Sequence, residues 1–239
     1  MTDRKKTSRL FAVADTHLSF TTDKPMGVFG AAWKEHAERL ALAWREDVTE
    51  DDTVIVAGDI SWALKTSDAF LDLDFLHGLP GKKLLVRGNH DLWWQKITAL
   101  NSMYDDMRFL QNDHVFFNAE AGIAVCGSRG WGLPGLEDYG KDDEKILARE
   151  IIRLGMSLDG AVCAGAKEII CAIHFPPAIL PETTSPFTEL IERYPVTQVV
   201  YGHLHGLQAF RKGITGEHRG IKYSLVSGDY LGFRPLPVI

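Results

Sequence analysis

A chain of 239 residues, 45% hydrophobic and 24% charged, has the composition of a globular protein long enough to bury a large core. A net charge of -6 gives no bulk attraction to polyanions, so nucleic acid is an unlikely partner unless a local basic patch supplies one. Three cysteines without a CxxC spacing, and a charged start from Met1 to Arg9 followed by only a short apolar run, argue against a disulfide framework, a signal peptide and a membrane span and predict a cytoplasmic protein.

Leu10-Phe11-Ala12-Val13-Ala14 reads as a short buried strand, stopped by Asp15-Thr16-His17. Side chains two apart on an extended segment point the same way, so Asp15 and His17 can aim at one point. Taken alone, the pair is more simply read as a polar loop start. Leu40, Trp44 and Val48 recur at helical spacing and predict an amphipathic helix over 33–48 with Trp44 in the core. A second strand over 53–57 ends in Gly58-Asp59, and a helix over 67–77 carries His77 near its end, where a structural role with the helix dipole is expected. The strand over 83–87 delivers Gly88-Asn89-His90-Asp91, in which the glycine permits a sharp turn and a close backbone approach. A helix over 91–103 should follow.

Short β-like runs at 109–110, 115–117 and 123–126 predict hairpin-connected strands. The glycine-rich loop 128–135 carries Arg129 and Trp131 and lacks the Gly-Lys-Ser/Thr ending of a phosphate-binding Walker loop, leaving it as an active-site rim or a surface loop. A charged helix over 141–158 precedes a strand over 168–173 that ends in His174-Phe175-Pro176-Pro177, where the prolines forbid a helix. A helix over 183–194, a strand over 198–201 ending in Gly202-His203-Leu204-His205-Gly206, and final strands from 223 complete the pattern. No repeat, linker or low-complexity segment divides it, so residues 1–239 are expected to form a single domain.

Five strand ends therefore carry Asp15/His17, Asp59, Asn89/His90, His174 and His203/His205. One such end is unremarkable; five on successive strands predict a shared cleft at the carboxyl edge of a sheet. Three oxygen donors and four imidazoles, with His90 to spare, suit Mn, Fe or Zn. Seven donors are too many for one tetrahedral structural zinc. They suit two ions sharing a bridging carboxylate, with positions left for water and substrate.

The motifs Asp15-Thr16-His17, Gly58-Asp59, Gly88-Asn89-His90-Asp91, His174 with Pro176, and Gly202-His203-Leu204-His205 closely resemble those of the calcineurin-like metallophosphoesterase superfamily, in the family's order and over nearly the whole chain. The resemblance implies a four-layer α/β/β/α sandwich of two packed mixed β-sheets flanked by helices. It also implies that Asp15, His17 and His205 hold one metal, that Asn89, His174 and His203 hold the other, and that Asp59 bridges them. His90 would contact substrate without ligating metal. The implied activity is hydrolysis of a phosphomonoester or phosphodiester by a hydroxide bridging two divalent or trivalent ions. In the protein phosphatase branch an acidic residue stands three positions after the bridging Asp and orients the catalytic histidine. Trp62 stands there in this chain, which favours a small phosphorylated substrate over a protein and leaves the residue that orients His90 open. Asp91 is a candidate, with capping of the following helix as its simpler role.

Arg129 and Trp131 are expected substrate contacts. Trp62, Trp93 and Trp94, with Phe20, Phe29 and Tyr139 in neighbouring segments, offer rings either for base stacking or for core and rim packing. Two rival readings are a nuclease, which a strip of Lys and Arg beside the cleft would favour, and a non-catalytic scaffold, which would tolerate loss of ligands.

Overall fold

A computed structural model describes residues 8–134 and 139–239; the charged first seven residues and Gly135, the last of the glycine-rich loop, lie outside the described residues. The chain runs β1 (Leu10–Val13), α1 (His36–Asp47), β2 (Thr53–Ala57), α2 (Thr66–His77), β3 (Lys82–Val86), α3 (Ile97–Leu100) and β4 (Met107–Leu110). It continues through β5 (Asp113–Asn118), β6 (Ile123–Ser128), α4 (Asp143–Cys163), β7 (Glu168–Ile173), α5 (Pro186–Ile191) and β8 (Val196–Tyr201). It closes with α6 (Gly206–Phe210), β9 (Gly216–His218), β10 (Ile221–Leu225) and β11 (Leu236–Pro237).

Two sheets result, with strand orders β11-β1-β2-β3-β4 and β5-β6-β7-β8-β10-β9. In each the inner strands are parallel and antiparallel strands lie at edges, β11 on the first sheet and β5 and β9 on the second. The period-two alternation of a strand sorts side chains between two cores. Along β2, Val54 and Val56 face a core shared with α1 and α2, whereas Ile55 and Ala57 face the other sheet. Along β7, Ile169, Cys171 and Ile173 pack with α4 and α5, and Ile170 and Ala172 point to the sheet interface. Three apolar layers thus separate four layers of structure, as a α/β/β/α sandwich requires. Strands buried on both faces explain why these runs read as uninterrupted hydrophobic stretches. Trp44 is fully buried in the first core, and Cys126 and Cys171 are buried free thiols.

Four expectations change. The helix expected over 91–103 is a single turn at Ile97–Leu100, because Asp91 folds back and the chain turns with Leu92 N bonded to His90 O. Trp93 and Trp94 go into the core instead. The run at 109–110 belongs to β4, which pairs parallel with β3 in the first sheet, so only β5 and β6 form the expected hairpin. The helix over 141–158 extends to Cys163, and that over 183–194 contracts to Pro186–Ile191 behind a Ser185/Thr188 capping box. His77 does have a structural partner, the Asp106 carboxylate at 2.7 Å, which also pairs with the buried Lys83 ammonium. Among the described residues no helix is long and apolar enough to cross a membrane.

Candidate dinuclear metal centre

The loops after β1 and β2 continue side by side beyond the strands. Asp15 N bonds Gly58 O, His17 N bonds Asp59 O and Leu18 N bonds Ile60 O. This prolonged ladder brings Asp15 and His17 against Asp59. The backbone at the donors is unusual, since Asp15, His17, Asp59 and His203 all have positive φ, at 56°, 42°, 52° and 73°. A non-glycine residue held there costs about 1–3 kcal/mol, and such strain gathers at functional sites. Two glycines are needed for contact rather than conformation. A Cβ on Gly88 would fall on the Asp59 carboxylate and amide, and one on Gly202 would fall on the Asp15 carboxylate.

The seven donors meet in two groups. Asp15, His17 and His205 form one cluster of metal-binding geometry, and Asp59, His174 and His203 form another. In the first, His205 Nε2 lies 3.3 Å from His17 Nε2 and 3.4 Å from Asp15 Oδ1. In the second, Asn89 Oδ1 lies 2.8 Å from His174 Nε2 and 2.9 Å from His203 Nδ1. Asp59 Oδ2 faces both groups, 3.7 Å from His17 Nε2 and 3.4 Å from His174 Nε2. Ligands about 2.0–2.2 Å from an ion stand roughly 2.8–3.6 Å apart at octahedral to tetrahedral angles, so most of these separations are those of atoms sharing an ion; His17 Nε2 and Asp15 Oδ1, at 3.9 Å, stand slightly wider.

Partners behind the donors set which nitrogen is available. A carbonyl can only accept, so Ala57 O at 3.0 Å fixes the proton on His174 Nδ1 and frees Nε2. Asp229 Oδ1 does the same for His205 Nδ1 at 3.0 Å. Asp229 went unread in the sequence, although Gly228-Asp229 after an apolar run repeats the Gly58-Asp59 signal. The buried Nδ1 of His17 has no such partner; its ring instead stacks on Trp62, centroids 4.8 Å apart and planes 19° apart.

The electrostatics match a site for cations. Burial opposes ionisation of Asp15 and Asp59, yet His205 facing the former and His174 facing the latter hold both carboxyls below their usual range. Burial likewise opposes charge on His174 and His205, but Asp59 and Asp15 outweigh it and raise them to about 9 and about 10. Burial dominates at His17 and His203, which fall to about 4 and about 3. Protons on His174 and His205 therefore occupy the place that metal charge would take, and metal binding must release them.

His90 stands outside both clusters. Its amide donates to Asp59 Oδ1 at 2.8 Å, and its half-exposed ring packs on Trp62 with centroids 4.3 Å apart. Trp62 thus contacts His90 from the position where an acidic residue would serve in the protein phosphatase branch. Asp91 does not cap a helix. Its fully buried carboxylate accepts from Gly88 N at 2.7 Å, Ile60 N at 2.9 Å, Ser61 N at 3.2 Å and Trp93 Nε1 at 3.0 Å, tying the Asp59 loop to the Asn89 loop. Burial, and then the Asp59 charge, pushes it up to about 6.

Two cavities flank the donors. One of about 480 Å³ is lined by Asn89, His203, Trp131, Tyr139 and Lys212. The other, of about 520 Å³, lies against His17, His90 and Trp62. His205 lines both. Trp131 is therefore beside the centre, its Nε1 bonded to Asp143 Oδ1 at 2.9 Å. Arg129 lines neither cavity: its guanidinium lies over the Trp131 ring, 4.3 Å from the centroid, pairs with the buried Glu150 at 3.2 Å and lines a separate cleft with Arg87 and Arg153. Its carbonyl serves the site instead, accepting from His174 N and Phe175 N at 3.1 Å each.

The sequence model of the calcineurin-like phosphoesterase family matches residues 8–207. The chain belongs to that family. Its site is accordingly of the metal-dependent phosphoesterase type, built from two clusters able to coordinate divalent ions. Solved structures share the fold at low identity. A protein of unknown function from Aquifex aeolicus, AQ665, superposes with a TM-score of 0.55 at 15% identity, covering 97% of this chain and 96% of that one. Phosphopantetheinyl hydrolase from Mycobacterium tuberculosis superposes with a TM-score of 0.55 at 19% identity, with the same coverage of 97% and 96%. The Gene 66 protein of Mycobacterium phage L5 is 43% identical over 58 residues, which is 24% of this chain and only 28% of that relative's length.

Proposed function

We propose that this calcineurin-like phosphoesterase hydrolyses a phosphoric ester of a small molecule, with two ions (Mn, Fe or Zn) held by Asp15, His17 and His205 on one side, by Asn89, His174 and His203 on the other, and by Asp59 between them. The observation that carries the reading is Asp59 Oδ2, which faces an imidazole of each cluster at 3.7 and 3.4 Å. Ions bound there would supply Lewis-acid charge to phosphoryl oxygens and would activate water as the nucleophile.

The rest is work for the chain. Asp59 holds the His90 amide through its other oxygen, so the residue between the clusters also fixes the loop that carries His90. Burial lowers the His90 pKa, more than Asp59 raises it, which favours a neutral imidazole. A neutral Nε2–H is a hydrogen-bond donor. Directed at the leaving oxygen, it stabilises the charge that develops there. Asn89, being neutral, adds an oxygen ligand without deepening the negative charge of Asp15 and Asp59.

The nuclease reading gains no support among the described residues, of which Lys212 is the single Lys or Arg lining the two cavities beside the centre. A scaffold role has no feature in its favour, since both donor clusters are intact.

The test is a panel of aryl phosphomonoesters and phosphodiesters assayed with added Mn²⁺, Fe²⁺ or Zn²⁺, beside metal analysis of the protein. The expected result is two ions per chain and hydrolysis that a chelator abolishes. Protein that binds no metal and cleaves no ester would refute the proposal. In the same assay His90→Ala should keep both ions and lose about 10²–10³-fold in turnover, the usual effect of removing one transition-state donor. Loss of an ion in that variant would make His90 a ligand instead.

A further inference from the structure

The two cavities beside the donors differ in chemistry. The one next to Asn89 and His203 carries Lys212, Asp143 and Tyr139. The one next to His90 is walled by Met26, Phe29, Trp33, Trp62, Leu207 and Phe210. Two of its polar side chains are already engaged. The Asp229 carboxylate accepts from His205 Nδ1 at 3.0 Å and Gly206 N at 3.2 Å, and Trp62 Nε1 points to Met26 Sδ at 3.1 Å. Beyond the histidines, this wall has little with which to recognise a sugar hydroxyl or a base edge. Phe29 and Leu207 line the same cavity and remain 66% and 77% exposed, so apolar surface faces water beside the histidine placed at the leaving oxygen. His205 lines both cavities, so a phosphoryl group among the donors opens towards each. A monoester would fill only one of them.

We propose that the substrate is a phosphodiester whose leaving alcohol bears a bulky apolar group lodged in the cavity beside His90, while a more polar retained arm lies in the cavity beside Asn89. This rests on the phosphoesterase reading above. Hydrolysis adds water across the P–O bond on the His90 side: the oxygen of water joins phosphorus, the apolar alcohol leaves with one proton, and the retained arm stays as a phosphomonoester.

The test uses phenyl and 4-butylphenyl esters, whose leaving phenols are nearly equal in acidity, each as a monoester and as a 2-methoxyethyl diester. In kcat/KM the 4-butylphenyl diester should exceed the phenyl diester about tenfold, as expected for burying part of a butyl chain, and each diester should exceed its monoester about tenfold. Replacing the two exposed wall residues together, Phe29→Asp with Leu207→Asp, should cut the butyl advantage to roughly threefold or less. Equal rates for phenyl and butylphenyl esters, or an undiminished advantage in the double variant, would overturn the apolar subsite. Faster hydrolysis of monoesters would overturn the diester assignment.

Calorimetric titration of the metal-free protein with phenol and 4-butylphenol reads the cavity without turnover, and 4-butylphenol should bind about tenfold tighter and lose that margin in the double variant. If no ester is cleaved with any metal but 4-butylphenol still binds this way, the phosphoesterase reading fails and the leaving-group assignment with it, while the apolar cavity stands. If esters are cleaved but neither the titration nor the rates distinguish butylphenyl from phenyl, the subsite alone fails.

Discussion

Strand β2 has a buried aspartate at each end, and the two have opposite surroundings. Asp52, before the strand and 2% exposed, is saturated: Arg9 N, Thr49 N, Thr49 Oγ1 and the Arg9 guanidinium all donate to it, and Arg9 Nη2 forms an ion pair at 2.8 Å. Asp59, after the strand and 1% exposed, receives one amide hydrogen bond from His90 and otherwise faces imidazoles 3.4–4.0 Å away. Asp15 and Asp91 add like charge to it. Burial of a carboxylate is therefore no sign of function by itself. What separates the two ends is whether a fixed cation of the chain completes the charge, as Arg9 does for Asp52, or whether the charge is left for something bound.

The largest expected effect tests that distinction at Asp59. Asp59→Asn keeps an acceptor for the His90 amide and removes the charge shared by the two clusters. Turnover should fall by roughly 10³-fold or more, which corresponds to ~4 kcal/mol of transition-state stabilisation. Stabilisation by metal should fall with it: added Mn²⁺ should raise the melting temperature of the parent protein clearly more than that of the variant. An equal rise in both proteins would show that Asp59 holds no ion and would remove the contrast with Asp52.

A smaller effect is expected one layer out, where the clusters themselves differ. His174 is oriented by a backbone carbonyl, which no substitution removes, whereas His205 is oriented by the Asp229 side chain. Asp229→Asn should weaken binding at the cluster of Asp15, His17 and His205 by about 10–100-fold, the usual range for a partner behind a metal ligand. The other cluster should be unaffected. Competition with a graded chelator reads this as one ion lost early and one retained. Equal loss of both ions would show that the two clusters act as one site.

Much of this was legible in the sequence because each donor follows a strand, and strand ends are where local pattern is strongest. Apolar runs stopped by Gly58-Asp59, Gly88-Asn89 and Gly202-His203 point to both the fold and the candidate ligands. Elements whose form depends on distant partners were not legible. Asp91 looks like a helix cap in sequence, but its four donors come from Gly88, Trp93 and the loop at Ile60 and Ser61, so the helix expected after it is reduced to one turn. Arg129 looks like a phosphate contact until Glu150, 21 positions away on α4, claims its guanidinium. Strand β4 reads as the start of a hairpin because nothing local says that it pairs with β3. Side-chain contacts made across the sheets are set by packing, which a period-two pattern does not encode.

The smallest expected effect lies at the other end of β2, in stability rather than turnover. Burial alone would raise the Asp52 pKa; the Arg9 side chain and the Thr49 and Arg9 amides outweigh it and lower it to about 2, from an ordinary value of 3.8. A carboxyl bound less tightly by protons in the folded state stabilises that state above its unfolded pKa. Asp52 therefore contributes fully at pH 7, and the contribution fades as pH falls from about 4 to about 2. Arg9 is partly exposed, so solvent screening holds the effect to about 1 kcal/mol or less. Asp52→Asn should lower the urea-unfolding free energy of the metal-free protein by that amount at pH 7, with the proposed phosphoesterase turnover of the metal-loaded protein unchanged. The gap between the two proteins should narrow as the pH is taken down through that window. A gap independent of pH would mean that Asp52 acts through its hydrogen bonds to Thr49 and the Arg9 amide rather than through its charge, and the contrast between the two ends of β2 would then rest on donor count instead of on the cation.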